Sequence, residues 1–313
     1  MVNLIVRRLL VSLPLVFIVS ILTFVLLALT PGDPAIAILG PDAPPSSLAH
    51  LREQLGLQDP LYTRYWDWLT GAVHGDLGVS LFTGQQVTAA LTQRLPVTLS
   101  LILGATLLTT TIGVGLGVLA SLRHGASGRA IDVLSLLGLA IPNYWLALGL
   151  VAIFAVSWRL LPATGYVPLT ESPGGWARTL ALPVTVLAVA GISVLAKQTR
   201  NAMLDVLSSD FIMTLRARGV PERSIIFKHG LRNAAIPVVT IMGLQVVAML
   251  SGTVIVESVF ALPGLGNLAV QGTLQHDIPV VQGAAVCFTL IVILVNLLVD
   301  LAYGWLNPKA RSA

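Results

Sequence analysis

Residues 278–299, IPVVQGAAVCFTLIVILVNLLV, run for 22 positions without a charge. At a helical rise of 1.5 Å they would reach about 33 Å, enough to cross a hydrocarbon layer of about 30 Å. Working outward between successive charges, five more strongly apolar stretches appear: Leu9 to Gly32, Leu95 to Leu122, Val133 to Trp158, Thr179 to Ala196 and Asn233 to Val256. By this measure Thr179 to Ala196 is only just long enough. Charged residues are 10% of the 313 and hydrophobic residues 55%, whereas a soluble domain carries about 25% charge. The sequence therefore predicts an all-α polytopic membrane protein with six transmembrane helices. Two further uncharged stretches are not full spans. Leu77 to Gln93 is rich in Thr, Gln and Gly, and Ser258 to His276 holds Pro263, Gly264, Gly266, Asn267 and Gly272. The second can be re-entrant, provided protein buries it.

The cations set the topology. Thirteen lie on the side of the termini: Arg7, Arg8, Arg123, Arg129, Lys197, Arg200, Arg216, Arg218, Arg223, Lys228, Arg232, Lys309 and Arg311. Only five (Arg52, Arg64, Arg94, Arg159 and Arg178) lie opposite, which places both termini in the cytoplasm. The net charge of +4 is thus an expression of topology and no sign of a nucleic-acid partner. The first apolar run is too long for a signal peptide and ends in Pro31-Gly32-Asp33-Pro34 without a small-residue cleavage pattern. The expected organisation is residues 1–30 as N-terminus and first helix, 31–94 as a helical extracytoplasmic segment, 95–304 as the core with its remaining five spans, and 305–313 as a cytoplasmic tail. In the outer segment Asp59-Pro60 is a helix start. Leu61, Tyr62, Tyr65, Trp66, Trp68 and Leu69 follow as an interfacial anchor or a docking platform.

The 197–236 loop between the fourth and fifth spans carries seven of those cations. Gly219 is suited to end one helix and Pro221 to open another, which runs to about His229 before Gly230. Nine residues do not make a stable helix alone in water, so Ile225, Ile226 and Phe227, rimmed by Arg223 and Lys228, need a surface. That surface is either a partner or the membrane end of this same chain, with the arginines on lipid headgroups.

Chemistry is sparse. No glycine-rich phosphate loop precedes Lys197, Lys228 or Lys309, and His50, His74, His124, His229 and His276 form no metal-binding pair. Cys287 stands alone, so no internal disulfide is available. A non-enzymatic chain without its own cofactor or metal is expected. Asp132, Glu257, Asp277 and Asp300 bound the spans, leaving Asn143, Gln245 and Asn296 inside them as pathway candidates or as hydrogen-bonding glue between helices.

From end to end the chain resembles the B-type permease subunit of ATP-binding-cassette importers for dipeptides and oligopeptides, a group that also includes nickel importers. The resemblance rests on the order of Arg7-Arg8, Leu22-Thr23-Phe24, Pro31-Gly32-Asp33-Pro34, Gly75-Asp76-Leu77-Gly78, Arg216-Ala217-Arg218-Gly219, Leu231-Arg232-Asn233-Ala234, Pro237, Pro263-Gly264-Leu265-Gly266 and Val281-Gln282-Gly283. It implies a type I importer permease fold in the inner (plasma) membrane of a prokaryote. Thr214 to Pro237 then looks like the coupling motif: Gly219 matches its glycine and Pro237 its proline, while Met213, Thr214 and Leu215 replace the family's Glu-Ala-Ala. The implied ATPase contacts are Thr214, Arg216, Ala217, Arg218, Gly219, Val220, Pro221, Glu222, Arg223, Ser224, Ile225, Phe227, Lys228 and His229. ATP and Mg would be bound by two ATPase subunits or one fused chain, and a second homologous permease would complete a heterodimer. An external solute-binding protein would deliver peptide near Phe260, Pro263, Gly264, Leu265, Gly266 and Asn267. The nearer alternative is a nickel or other small-solute importer. An ion-coupled secondary transporter is the rival from another class, and ATP dependence of uptake separates the two.

Overall fold

The computed structural model describes residues 2–123 and 138–306. Arg129, Asp132, the start of the predicted third span and the 307–313 part of the tail lie outside the described residues. Among the described residues five helices are long and apolar enough to cross a membrane: α1 (Val2–Leu29), α5 (Val87–Leu122), α7 (Pro173–Leu207), α9 (Glu222–Val259) and α11 (Ile278–Leu306). Between α1 and α5 lie three short helices, α2 (Pro34–Leu39), α3 (Pro45–Gln54) and α4 (Leu61–Val73). The predicted third span is interrupted. Residues 138–140 are helical, Pro142 is extended (φ −61°, ψ 138°), and α6 (Asn143–Ser157) begins after it. Proline lacks the N–H that would continue the helix and restricts the residue before it. The 15 residues of α6 rise only about 22 Å by helical geometry. α8 (Asp210–Ala217) lies between α7 and α9, and α10 (Leu265–Gln275) between α9 and α11.

Helix ends depart from the charge map. Thr179 to Ala196 proves to be the middle of a 35-residue helix, because Arg178, Lys197 and Arg200 sit on α7 without ending it. Likewise α5 starts at Val87, inside a stretch too polar to read as a span. Proline and a cap residue fix a helix start; a charge does not.

The chain forms two compact units, Leu99–Leu262 with residues 294–306, and Leu4–Thr98 with Pro263–Ile293. In the first, α7 is the central helix: 56% of its most apolar stretch is buried, against 11% for α1. Gly113 and Gly117, one helical turn apart on α5, let it approach the α7 backbone. A Cβ at 117 would lie 2.5 Å from Thr199 Cβ and 2.6 Å from the Ala196 oxygen, and one at 113 would lie 3.0 Å from Leu195 Cβ. This is the small-xxx-small packing of membrane helices, where close contact substitutes for a hydrophobic driving force. Val118, Ala202, Met203 and Ala234 complete the junction of α5, α7 and α9.

In the second unit, polar groups hold apolar helices together. Gln282 of α11, fully buried, donates from Nε2 to the Ser20 carbonyl of α1 at 2.7 Å. The Ser20 hydroxyl shares a 2.8 Å hydrogen bond with Tyr65 of α4, whose ring packs edge-on against Phe24. Asp277, 2% exposed, accepts from the Ser80 hydroxyl at 2.5 Å and from the Leu81 N–H at 3.3 Å, tying the turn before α5 to the α10–α11 junction.

The predicted Asp59 cap is not made: Pro60 takes the cap position of α4 without a side-chain bond. The other Asp-Pro pair caps instead. Asp33 Oδ1 accepts from the Ala35 N–H at 2.8 Å and Oδ2 pairs with Arg52 Nη2 at 2.6 Å. Burial alone would raise this carboxyl, but the Arg52 bond and the Ala35 N–H outweigh it and hold the group below its ordinary 3.8. Its stabilisation is therefore present above that pH and lost as acid titrates the folded carboxylate. Asp33→Ala should accelerate hydrogen exchange of the Ala35–Leu39 amides about fivefold near neutrality, the loss expected of an N-cap. In the wild type the same protection should fade only below pH 3.8; equal exchange in both chains near neutrality would remove the cap's role.

Candidate functional site

The connection from α7 to α9 is almost wholly helical. Its first helix, α8, is anchored by Ile212, which has no exposed surface. It ends at Arg218, followed by Gly219 at φ +75°. There the Gly219 N–H bonds the Arg216 carbonyl and the Val220 N–H the Leu215 carbonyl, so two terminal carbonyls of α8 are satisfied by a left-handed residue. Pro221 (φ −57°, ψ 137°) caps the next helix.

Across this turn Arg216 and Glu222 form a two-point pair, Nη2 to Oε1 at 2.7 Å and Nε to Oε2 at 3.2 Å. The Glu222 bond pushes the Arg216 guanidinium further up from its ordinary value. Both side chains are about half exposed, so water screens the pair and its own stability contribution is small. It spans a turn whose shape the Gly219 and Val220 backbone bonds set, and the surrounding surface is left open. Phe211, Met213, Thr214, Ala217, Arg218, Pro221, Arg223, Phe227 and Lys228 are exposed. Pro221, Arg223, Ser224, Phe227 and Lys228 line one shallow hollow.

The helix predicted to stop before Gly230 does not stop there. Ile225–Gly230 is a π-helical segment that runs directly into Leu231, so the helix joins α9 with no loop between. The predicted apolar trio divides: Ile225 is fully buried, Ile226 half-buried and Phe227 56% exposed. Gly230 is buried against Met203 and Leu207 of α7, which is why a glycine here does not end the helix. Val220, Ser224 and His229 are half-buried.

The remaining predicted residues lie elsewhere. Asn143 and Gln245 are half-buried and Asn296 exposed, and among the described residues no hydrogen bond joins them. The Asn143 amide packs over Gly252 of α9. The stretch expected to stand outward for a delivering protein is largely interior. Phe260, Gly264, Leu265 and Gly266 are buried, Asn267 is half-buried and Pro263 exposed. α10 instead presents Gln271, Thr273, Leu274 and Gln275. Its neutral Pro/Gly-rich composition allowed either placement. Among the described residues no three His, Cys, Asp or Glu side chains gather to hold a metal.

Five helices among the described residues with the length and composition to cross a membrane, and an exposed basic turn between two of them, define a polytopic membrane protein. The chain belongs to the family described as binding-protein-dependent transport system inner membrane component, which it matches over residues 113–312, with the family's N-terminal region matched over residues 1–102. It is similar to a protein named as a peptide transport system permease in Brucella abortus (strain 2308), 42% identical over 312 residues and 99% of both chains. A glutathione transport system permease of Escherichia coli O6:H1 is 38% identical over 99% of both. An oligopeptide transport system permease of Bacillus subtilis (strain 168) is 38% identical over 97% of this chain and 98% of that one. The fold is shared with a chain of the MetNI methionine ABC transporter in an inward-facing form, with TM-score 0.57 and 19% identity, over 69% of this chain and 96% of that one.

Proposed function

We propose that this chain is the transmembrane permease subunit of an ATP-driven, binding-protein-dependent peptide importer, forming half of the translocation pathway. The observation that carries the coupling role is the exposed turn at Gly219, braced by Arg216 and Glu222 and continuous with α9. The relatives' names support the peptide substrate, and the cation asymmetry supports cytoplasmic termini and a cytoplasmic turn. Partner ATPases, as two subunits or one fused chain, would bind ATP and Mg and grip Arg218, Arg223, Phe227 and Lys228. A second homologous permease would supply the facing wall, and a solute-binding protein outside would deliver peptide. Each partner then biases one conformation by its differential affinity.

Uptake of labelled di- and oligopeptides into proteoliposomes holding the whole assembly tests this reading. ATP-dependent accumulation is expected, with none for the isolated chain; accumulation by the isolated chain would end it. Arg218→Glu with Arg223→Glu should cut ATPase retention on purification about tenfold, since the charge offered to the partner is reversed, while the helices remain folded. Undiminished retention would move the contact elsewhere.

A further inference from the structure

Beside α4, outside the coupling surface, a cavity of about 240 Å³ opens in the second unit. Its walls include Phe24 of α1, Leu57 and Asp59 from the turn before α4, and Arg64, Asp67 and Trp68 of α4. Arg64 is held in place by the Phe24 ring, 6.0 Å from its guanidinium carbon. Burial pulls this guanidinium down from its ordinary value and the charge of Asp59 opposes the shift. Among the described residues no acceptor hydrogen-bonds its side chain. The Trp68 indole N–H is buried and also lacks an acceptor. The buried Trp68 N–H, left unmatched beside the half-buried guanidinium of Arg64, calls for a ligand that accepts. Two carboxylates in the same walls call for a cation on that ligand.

Depth selects its source. Phe24 lies five residues from Leu29, the end of α1, which is about 7 Å of helix rise, so the cavity adjoins the last turns of an apolar helix. An adjoining hollow that shares Leu57 and Arg64 is lined by Leu27 and Ala28 of the same helix, by Thr30 just after it, and by Asp33 and Arg52. On α4, Tyr62 (77% exposed) and Trp66 (62% exposed) supply the aromatic surface found at membrane interfaces.

We propose that this cavity holds the headgroup of a zwitterionic aminophospholipid, its phosphate on Arg64 and Trp68 and its ammonium facing Asp59 and Asp67. Guanidinium matches phosphate in geometry as well as charge. The carboxylates give preference for an amine-bearing headgroup over one ending in glycerol. The acyl chains would follow the apolar side of α1, of which little is covered by protein.

The test uses the assembled transporter, passed through vesicles of equal phosphatidylethanolamine and phosphatidylglycerol, re-extracted, and analysed by native mass spectrometry for retained phospholipid. The wild type should retain phosphatidylethanolamine preferentially. Arg64→Gln should lower its retention about tenfold, and the isosteric Trp68→Phe, which removes only the donor, several-fold. Asp59→Asn with Asp67→Asn should equalise the two lipids, and Arg178→Gln, in the other unit, should change nothing. Retention unaltered in Trp68→Phe and in any folded Arg64→Gln overturns the site, as does equal retention of both lipids by the wild type. Loss of the bound lipid to inorganic phosphate or to a dipeptide in detergent overturns the lipid assignment in favour of a free anion.

Discussion

A Gly219→Val permease should lose about tenfold in ATP-dependent uptake while its helices stay folded. No atom lies within 4 Å of where a Cβ would stand at this position, so the substitution meets no steric barrier. What it meets is the backbone: φ is +75°, a region that costs an ordinary L-residue about 1–2 kcal/mol and a β-branched one more. That is comparable to the tenfold factor. The chain escapes the strain by rotating the turn out of the left-handed region, which breaks the Gly219 and Val220 hydrogen bonds to α8 and separates Arg216 from Glu222. Gly219→Asn is the control, since asparagine tolerates the left-handed region; it should keep most of the uptake. Equal transport by both variants would mean that the shape of this turn does not matter to the partner.

Gly117→Leu is expected to have the larger effect on folding. At 2.6 Å the obstacle is a main-chain carbonyl, that of Ala196, which cannot be moved by a rotamer change. Either α5 and α7 separate or α5 rotates, and both open the buried junction at Val118, Ala202 and Met203. Overpacking of this kind costs about 1–3 kcal/mol or more, so the midpoint of thermal unfolding in detergent should fall by roughly 5–10 °C, or folded protein should not be recovered. Gly115 lies on the same helix, but a Cβ there would have no neighbour within 4 Å, so Gly115→Leu should fold normally. Similar losses in both variants would mean that the α5–α7 contact is not their cause.

Much of the architecture is legible in the sequence because the membrane is a harsh filter: a stretch such as 278–299 has few alternatives to a helix. Helix ends are another matter. Arg178 and Lys197 resemble boundaries when hydrophobic length alone is considered, yet a long helix carries charges beyond the hydrocarbon at no cost in backbone hydrogen bonds. Asp33 and Asp59 precede proline identically, and only tertiary contact, the Arg52 guanidinium, distinguishes the one that caps. Gly113 and Gly117 are visible in the sequence as a pair four apart, but the helix they approach is not. At the candidate site, Gly219 and Pro221 reveal the turn correctly, since each acts through its own backbone. The continuity through Gly230 is hidden because it depends on packing against Met203 and Leu207. The burial of Leu265 and Gly266 is equally hidden, since neutral small residues suit an exposed turn and a packed one alike.

The absence of a break between Ile225 and Leu231 gives α9 the character of a lever. Its 38 residues, Pro237 among them, rise about 57 Å, and a tilt of about 5° moves one end by about 5 Å relative to the other. On the proposed reading, a small displacement at Arg223 and Phe227 would be carried along α9 to its opposite end with no loop to absorb it.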